Sequence, residues 1–553
     1  MPERPGHELS GLGVSPGRTA GPVYRMSPPP TLPAEPPAVT DPDAETAAAK
    51  AALRFVADEL TRLSGQVEGT AADVLDTESM MAVDPTLADA VARQVAAGRA
   101  AAWAITDAIA EQQKAFAEIG GYFAERAADL ADIRDRAVAR LLGVPMPGLP
   151  APGEPYVLVA DDLSPADTAL LDPAAVLAIV TRRGGPTSHT AILAKARGLP
   201  AVVGCAGVLE LADGTTVAVD GTTGVVSTVD AESAGTIRAA AARERARLAE
   251  LSGPGRTADG HAVPLLLNIG GAADVNPNAE GVGLFRTEFL FLDRTTAPTV
   301  EEQERAYAEV FGALGGGKIV LRTLDAGADK PLPFLGLADE DNPALGVRGL
   351  RIAREHPAVL TDQLEAVSRA AKATGADVWV MAPMVATAAE ADAFAAEVRR
   401  VGLPAAGVMI EVPAAALRAR GLLEVVDFVS LGTNDLSQYT MAADRMNGDL
   451  ADLLDPWQPA VLELVAAVAS AGREAGKPVG VCGESAGDPL LALVFTGMGV
   501  TTLSMSGPVL PAVRASLANH TLPECERLAS LALDAADAVT ARREVAAAAK
   551  PVA

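Results

Sequence analysis

Phe428-Val429-Ser430-Leu431-Gly432-Thr433-Asn434-Asp435 is an apolar run of strand length that stops at residues able to hold an anion or a metal. The same pattern recurs along the second half of the chain. Apolar segments at Val263 to Ile269, Gly281 to Phe285, Lys318 to Arg322, Val378 to Ala382, Gly407 to Ile410, Phe428 to Leu431, Pro478 to Val481 and Thr501 to Met505 alternate with helical stretches. Eight such strands predict a closed (β/α)8 barrel of the TIM type, with an open doubly wound sheet as the alternative. The polar residues favour the barrel, because strand ends converge there on one rim. They read Phe285-Arg286-Thr287-Glu288, Leu321-Arg322-Thr323-Leu324-Asp325, Ile410-Glu411-Val412-Pro413, Gly432-Thr433-Asn434-Asp435 and Cys482-Gly483-Glu484-Ser485. Arg286 and Arg322 fit bidentate binding of phosphate or carboxylate oxygens, and Arg445 adds a third cation. Glu411 and Asp435 supply hard oxygen ligands suited to Mg2+. Cys482, at a strand end, is a candidate proton donor.

A second stretch carries different chemistry. Gly184-Gly185-Pro186-Thr187-Ser188-His189-Thr190-Ala191 follows the apolar segment Ala174 to Val180 and precedes an alanine-rich helix that ends near Gly198 and Pro200. His189 therefore falls at a strand-to-helix turn. The glycines let the backbone close tightly, Ser188 and Thr190 place hydroxyls nearby, and a helix N-terminus offers unpaired N–H groups to an anion. A neutral imidazole, with an ordinary pKa of about 6.5, is a nucleophile at neutral pH. The pattern marks His189 as a phosphate carrier.

The rest of the chain sets limits. With 45 basic and 71 acidic side chains the net charge is −26, which argues against nucleic acid as a partner. Cys205, Cys482 and Cys525 are odd in number and far apart, so no disulfide framework is expected and a reducing cytoplasm fits. No signal peptide is expected from the first residues. Residues 490–513 are uncharged, but Gly497, Gly499, Gly507, Pro508 and Pro511 predict a helix, a strand and a turn and not a membrane insertion. Residues 9–25 read as a small strand unit, and a proline-rich connector leads into helical periodicity from Ala44 to Leu142, broken at Pro85 and Gly120-Gly121. After a Pro/Gly connector at 145–155, short Val-rich strands run to about Val229. A single charged helix over 232–251 follows, a candidate linker.

These motifs resemble enzyme I of the bacterial phosphotransferase system. The resemblance rests on Gly184 to Thr190, Glu280-Gly281-Val282-Gly283-Leu284-Phe285-Arg286-Thr287-Glu288-Phe289, Leu431 to Thr440 and Cys482-Gly483-Glu484-Ser485-Ala486-Gly487. It implies an α/β multidomain protein: residues 1–26 and 146–230 form a swivelling phosphohistidine domain, interrupted by a helical HPr-binding domain at 27–145. A linker helix at 231–255 leads to a phosphoenolpyruvate-binding and dimerising barrel at 256–553. It further implies that His189 is phosphorylated at Nε2, that Arg286, Arg322, Asn434, Asp435 and Arg445 bind phosphoenolpyruvate, that Glu411 and Asp435 hold Mg2+, and that Cys482 protonates the enolate to give pyruvate. Lys330 and Arg348, in similar motifs, assist with substrate. The expected partners are phosphoenolpyruvate, the phosphocarrier HPr and a second copy of the chain in the cytoplasm, in the first step of sugar uptake. Position 186 is Pro where many relatives carry Arg, which removes a donor beside the histidine. The related ATP-dependent dikinases need a nucleotide-binding domain, for which the helical residues ahead of the histidine unit leave no room.

Overall fold

The computed structural model describes the chain except residues 1–7, 28, 66–69, 120, 151, 164–166, 168, 169, 173, 186–188, 293, 328–331, 339, 446, 448, 449, 451 and 551–553. The side chains at 70–74, 117–119, 121–128, 189, 192, 196 and 249 also lie outside that description. The chain forms two compact units, Met1–Ala241 and Ala242–Ala553, whose boundary falls within the helix Ala231–Glu250.

In the first unit, eight strands make one sheet: β1 (Glu8–Ser10), β2 (Leu12–Ser15), β3 (Arg18–Arg25), β4 (Tyr156–Ala160), β5 (Val176–Thr181), β6 (Ala201–Val203), β7 (Thr216–Asp220) and β8 (Val225–Thr228). Their order is β1-β8-β7-β3-β4-β5-β6-β2. The run β3-β4-β5-β6 is parallel, and the flanking pairs are antiparallel. β3 and β4 lie side by side although more than a hundred residues separate them, so the helical segment is an insertion between two sheet neighbours.

That insertion comprises helices Pro42–Ser64, Thr70–Ala82, Pro85–Ala96, Ala101–Ile119 and Gly121–Leu142. Pro85 opens its helix behind the Asp84 cap, and Pro42 does the same behind Asp41. The sequence reading missed two breaks, after Ser64 and after Ala96. At the second, Gly98 takes a φ of 89°, which favours glycine. The bundle core is small, built from alanines with Leu53, Leu60, Leu75, Val91, Ile105 and Ile109, as the low aromatic content requires.

Among the described residues, three acidic side chains are buried in this bundle: Glu78, Asp129 and Asp132. Glu78 is fully buried and neither carboxylate oxygen has a hydrogen-bond partner among the described residues. Burial, then the facing Asp132 and Asp129, push its pKa well above the usual carboxylate range. Arg136 pairs with Asp132 at 2.5 Å and lies 3.7 Å from Asp167, so the local cation is held by other acids.

In the second unit, β9 (Leu265–Ile269), β10 (Gly281–Arg286), β11 (Lys318–Arg322), β12 (Val378–Ala382), β13 (Ala405–Ile410), β14 (Phe428–Leu431), β15 (Val479–Val481) and β16 (Thr502–Met505) form a closed barrel. Every pair is parallel and β16 returns to β9, which excludes the open doubly wound sheet. Leu284, Val320, Met381, Met409, Phe428 and Cys482 fill the interior, and a larger apolar layer packs the outer helices onto the strands. The uncharged segment near 490–513 is the helix Pro489–Met498, β16 and a turn. No helix among the described residues is long and apolar enough to cross a membrane.

Because the native state of Glu78 binds its proton more tightly than the unfolded chain, stability declines as pH rises above the ordinary carboxylate range of about 4.3. Glu78→Gln is expected to flatten that decline and to exceed the parent in stability at pH 8. Calorimetric unfolding of both proteins at pH 5 and pH 8 checks it.

Candidate active site

The barrel's sequence order explains where its polar side chains meet. Each parallel strand runs the same way, so residues at the end of β10, β11, β13, β14 and β15 share one rim although they span almost two hundred positions. Arg322, the last residue of β11, is nearly fully buried. Its Nη2 donates to Glu288 Oε1 at 2.7 Å and its Nη1 lies 2.8 Å from Asp325 Oδ2. Burial opposes the guanidinium charge, but Asp325, Glu288 and Glu411 outweigh it and raise the pKa above its ordinary value.

Asp325 also holds a second arginine. Arg348 Nη2 reaches both Asp325 oxygens at 3.2 Å, and its Nη1 lies 3.4 Å from Asp435 Oδ1 and 3.4 Å from the Tyr439 hydroxyl. Arg445, a quarter exposed, stands 3.5 Å from Asp435 Oδ2, and its backbone N–H donates to Gln438 Oε1. Arg286, at the end of β10, is half-buried and makes no ion pair among the described residues. Its charge acts on Cys482 together with that of Arg322.

Glu411 is fully buried, and its Oε1 accepts the Met384 N–H at 2.5 Å. Burial, then Asp325 and Asp435, push its carboxyl up to about 8. Met384 has a φ of 59°, a left-handed conformation uncommon for a non-glycine residue, and it is the peptide N–H of this residue that serves Glu411. Asn434 and Asp435 follow β14, as expected, on the first turn of the helix Thr433–Met441. That helix is anchored where Thr433 and Ser485 share a 2.7 Å hydroxyl contact.

The donor set fits a divalent metal ion. Asp435 lies close enough to Glu411 to raise the cost of charging it, an arrangement that a divalent cation stabilises. Among the described residues no group of three or more His, Cys, Asp or Glu side chains forms a metal cage, so substrate oxygens and water would have to complete the coordination.

Cys482 follows β15 and is buried within the barrel interior. Its thiol donates to the Leu431 carbonyl at 3.5 Å, and burial pushes its pKa up to about 11. The sulfur is therefore a protonated thiol at neutral pH.

The first unit places His189 at the head of the helix His189–Arg197, after β5, as the strand-to-helix reading expected. Pro186, Thr187 and Ser188, and likewise Lys330, lie outside the described residues. The Thr190 hydroxyl, expected beside the imidazole, donates to Asp162 Oδ1 at 3.3 Å.

Comparison with known proteins agrees with this geometry along the whole chain. Residues 245–522 match the family described as PEP-utilising enzyme, PEP-binding domain; residues 152–224 match its mobile domain and 10–126 its N-terminal domain. A phosphoenolpyruvate-protein phosphotransferase of Streptomyces coelicolor is 54% identical over 545 residues, covering 97% of this chain and 98% of that protein. The chain belongs to the phosphoenolpyruvate-protein phosphotransferase (enzyme I) family. Proteins of the same description from Haloferax volcanii and Bacillus subtilis are 41% and 36% identical, covering 95% and 94% of this chain and 97% and 95% of theirs. As an enzyme I, the protein is a phosphotransferase that uses phosphoenolpyruvate.

Within this enzyme I, sequence reasoning gave no role to Glu288, Asp325 or Tyr439. Glu288 and Asp325 stand two and three residues beyond an arginine at a strand end, and that spacing was the available signal. Tyr439 had none beyond lying one helical turn past Asp435.

All three cysteines are buried, and burial raises Cys205 and Cys482 to about 11 and Cys525 to about 12. The native enzyme is expected to react with a disulfide reagent such as DTNB at pH 7.5 at least about a hundredfold more slowly than the urea-unfolded chain. Time courses of thiol release in both states check it.

Proposed function

We propose that this enzyme I transfers the phosphoryl group of phosphoenolpyruvate to Nε2 of its own His189 and from there to the histidine of HPr, releasing pyruvate at the first step of sugar uptake. The observation that carries the reading is the buried set of arginines at the barrel rim, held by carboxylates around Glu411 and Asp435.

In this reading Arg286, Arg322 and Arg445, with Asn434 and Asp435, bind the phosphate and carboxylate of the substrate. Arg286, without a carboxylate of its own among the described residues, is the cation with most charge to offer. Arg322 and Arg348 are fixed in advance, so little reorganisation is needed when phosphate arrives. Glu411 and Asp435 would hold Mg2+, which when bound supplies a positive charge against the phosphoryl oxygens and the departing enolate. The imidazole Nε2 lone pair attacks phosphorus, the bridging P–O bond breaks, and its electron pair leaves on the enolate. The Cys482 thiol then gives its proton to the enolate methylene carbon, and the product is pyruvate. Burial keeps the thiol protonated at neutral pH, so it has a proton to give.

The helical domain at 27–145 binds HPr, residues 1–26 with 146–230 carry the phosphohistidine, and the barrel domain at 256–553 joins two chains in a cytoplasmic homodimer. These assignments rest on the family resemblance. The exposed Met80, 65% accessible on its helix, is an apolar contact available to such a partner.

With 32P-labelled phosphoenolpyruvate and Mg2+, the wild type is expected to take up acid-labile, base-stable label and pass it to purified HPr, while His189→Ala takes up none. Label that required ATP, or that never left the protein for HPr, would overturn the reading. Chelation of divalent metal with EDTA is expected to reduce the labelling rate at least about a thousandfold, with recovery on adding Mg2+; an unchanged rate would remove the metal from the mechanism.

A further inference from the structure

Tyr439 ties three rim loops of the barrel together. It lies on the helix after β14, its hydroxyl donates to the Ala344 carbonyl in the loop after β11, and it stands 4.0 Å from the Met384 sulfur in the loop after β12. A phenol has a single proton to donate. With that proton committed to Ala344, the oxygen faces Arg348 Nη1, 3.4 Å away, only as an acceptor.

The loop that carries Ala344 also carries Arg348, four residues on. Within the loop, Val347 N–H donates to Glu340 Oε1 at 2.8 Å and Arg351 Nη1 donates to the Leu345 and Gly346 carbonyls at 3.0 Å, while beyond it Gly349 N–H donates to the Ala326 carbonyl at 2.9 Å and Leu350 N–H to the Pro383 carbonyl at 3.4 Å. The first two sets fix the loop's own shape, the backbone bonds seat its C-terminal end, and the stretch at Ala344 needs a longer-range contact of its own. Tyr439 supplies one from a different strand's loop. At the guanidinium itself, Asp325 orients Nη2, while Nη1 meets Asp435 and Tyr439. Asp435 is shared with Arg445, so its charge is divided, whereas Tyr439 offers a neutral acceptor from one helical turn away.

We propose that Tyr439 is a positioning residue for phosphoenolpyruvate binding: its hydroxyl pins the loop after β11 and aims Arg348 at the substrate. This rests on the reading of Arg348 as a substrate contact. The device acts on the ground state as well as the transition state, so its loss appears in KM more than in kcat.

The test compares Tyr439→Phe, Arg348→Lys and the double variant in the full-length enzyme, by steady-state phosphoryl transfer and by hydrogen exchange of residues 344–348. Tyr439→Phe is expected to raise KM for phosphoenolpyruvate about tenfold with kcat within about threefold, as loss of the hydrogen bond to Ala344 and of the long one from Arg348 implies. Amides 344–348 are expected to exchange faster, and Tyr439→Phe to add little on the Arg348→Lys background. An Arg348→Lys enzyme with unchanged KM would overturn the reading of Arg348. A raised KM in Arg348→Lys with none in Tyr439→Phe would overturn the positioning role alone. Equal losses in kcat and melting temperature for Tyr439→Phe would make the residue structural and likewise overturn it.

Discussion

The Asp325 carboxylate stands between two guanidinium groups that have almost no access to water, and the rim of the barrel is organised around it. Removing a charge from water costs several kcal/mol even after relaxation, so each buried arginine must find a partner or stay outside. Asp325 serves both, with Glu288 completing the shell of Arg322 and Asp435 that of Arg348. The result is an alternation of opposite charges across the ends of β10, β11 and the helix after β14. Such a network holds its geometry because any displaced member leaves an uncompensated charge behind.

The same burial creates a tension that a reactive site can use. Glu411 faces two other carboxylates and is pushed up to about 8, and the peptide N–H that donates to it belongs to Met384, held in a left-handed conformation. Backbone strain of that kind costs on the order of 1–3 kcal/mol and persists where the surroundings over-determine it. Here Pro383 and Met384 pack against Gly349, which itself has a positive φ of 58°, so the loops after β11 and β12 constrain each other. Beneath them the interior of the barrel is apolar, and the Cys482 thiol sits at its upper boundary, dry enough to remain protonated.

In the first unit, by contrast, burial is spent on a carboxylate without a matching cation. Glu78 lies in an alanine-rich bundle whose small side chains pack helices closely, and Arg136 is already committed to Asp132. A neutral, protonated Glu78 is the cheaper state, because desolvation and its acidic neighbours act in the same direction.

The amino-acid sequence by itself determined the barrel's elements and their order, though not every helix of the bundle. All eight barrel strands were legible within a residue or two, since parallel strands buried on both faces read as continuous apolar runs. His189 at a strand-to-helix turn was legible from Gly184-Gly185 and the apolar segment before it. The residues Arg286, Arg322, Glu411, Asp435 and Cys482 were legible because each follows such a run. What only the tertiary structure decided is which of these charges touch. Closure of β16 onto β9 converts distant strand ends into neighbours, so Asp325 meets Arg348 and Arg348 meets Tyr439 across spacings that no local pattern encodes. Burial is likewise a property of the closed barrel: Glu288 and Glu411 are ordinary acids in the chain and come to act on the same arginine, Arg322, only when water is excluded around them. Local sequence sets dihedral preferences and apolar periodicity, whereas the electrostatics of a site depend on distance and dielectric, and both are fixed by packing.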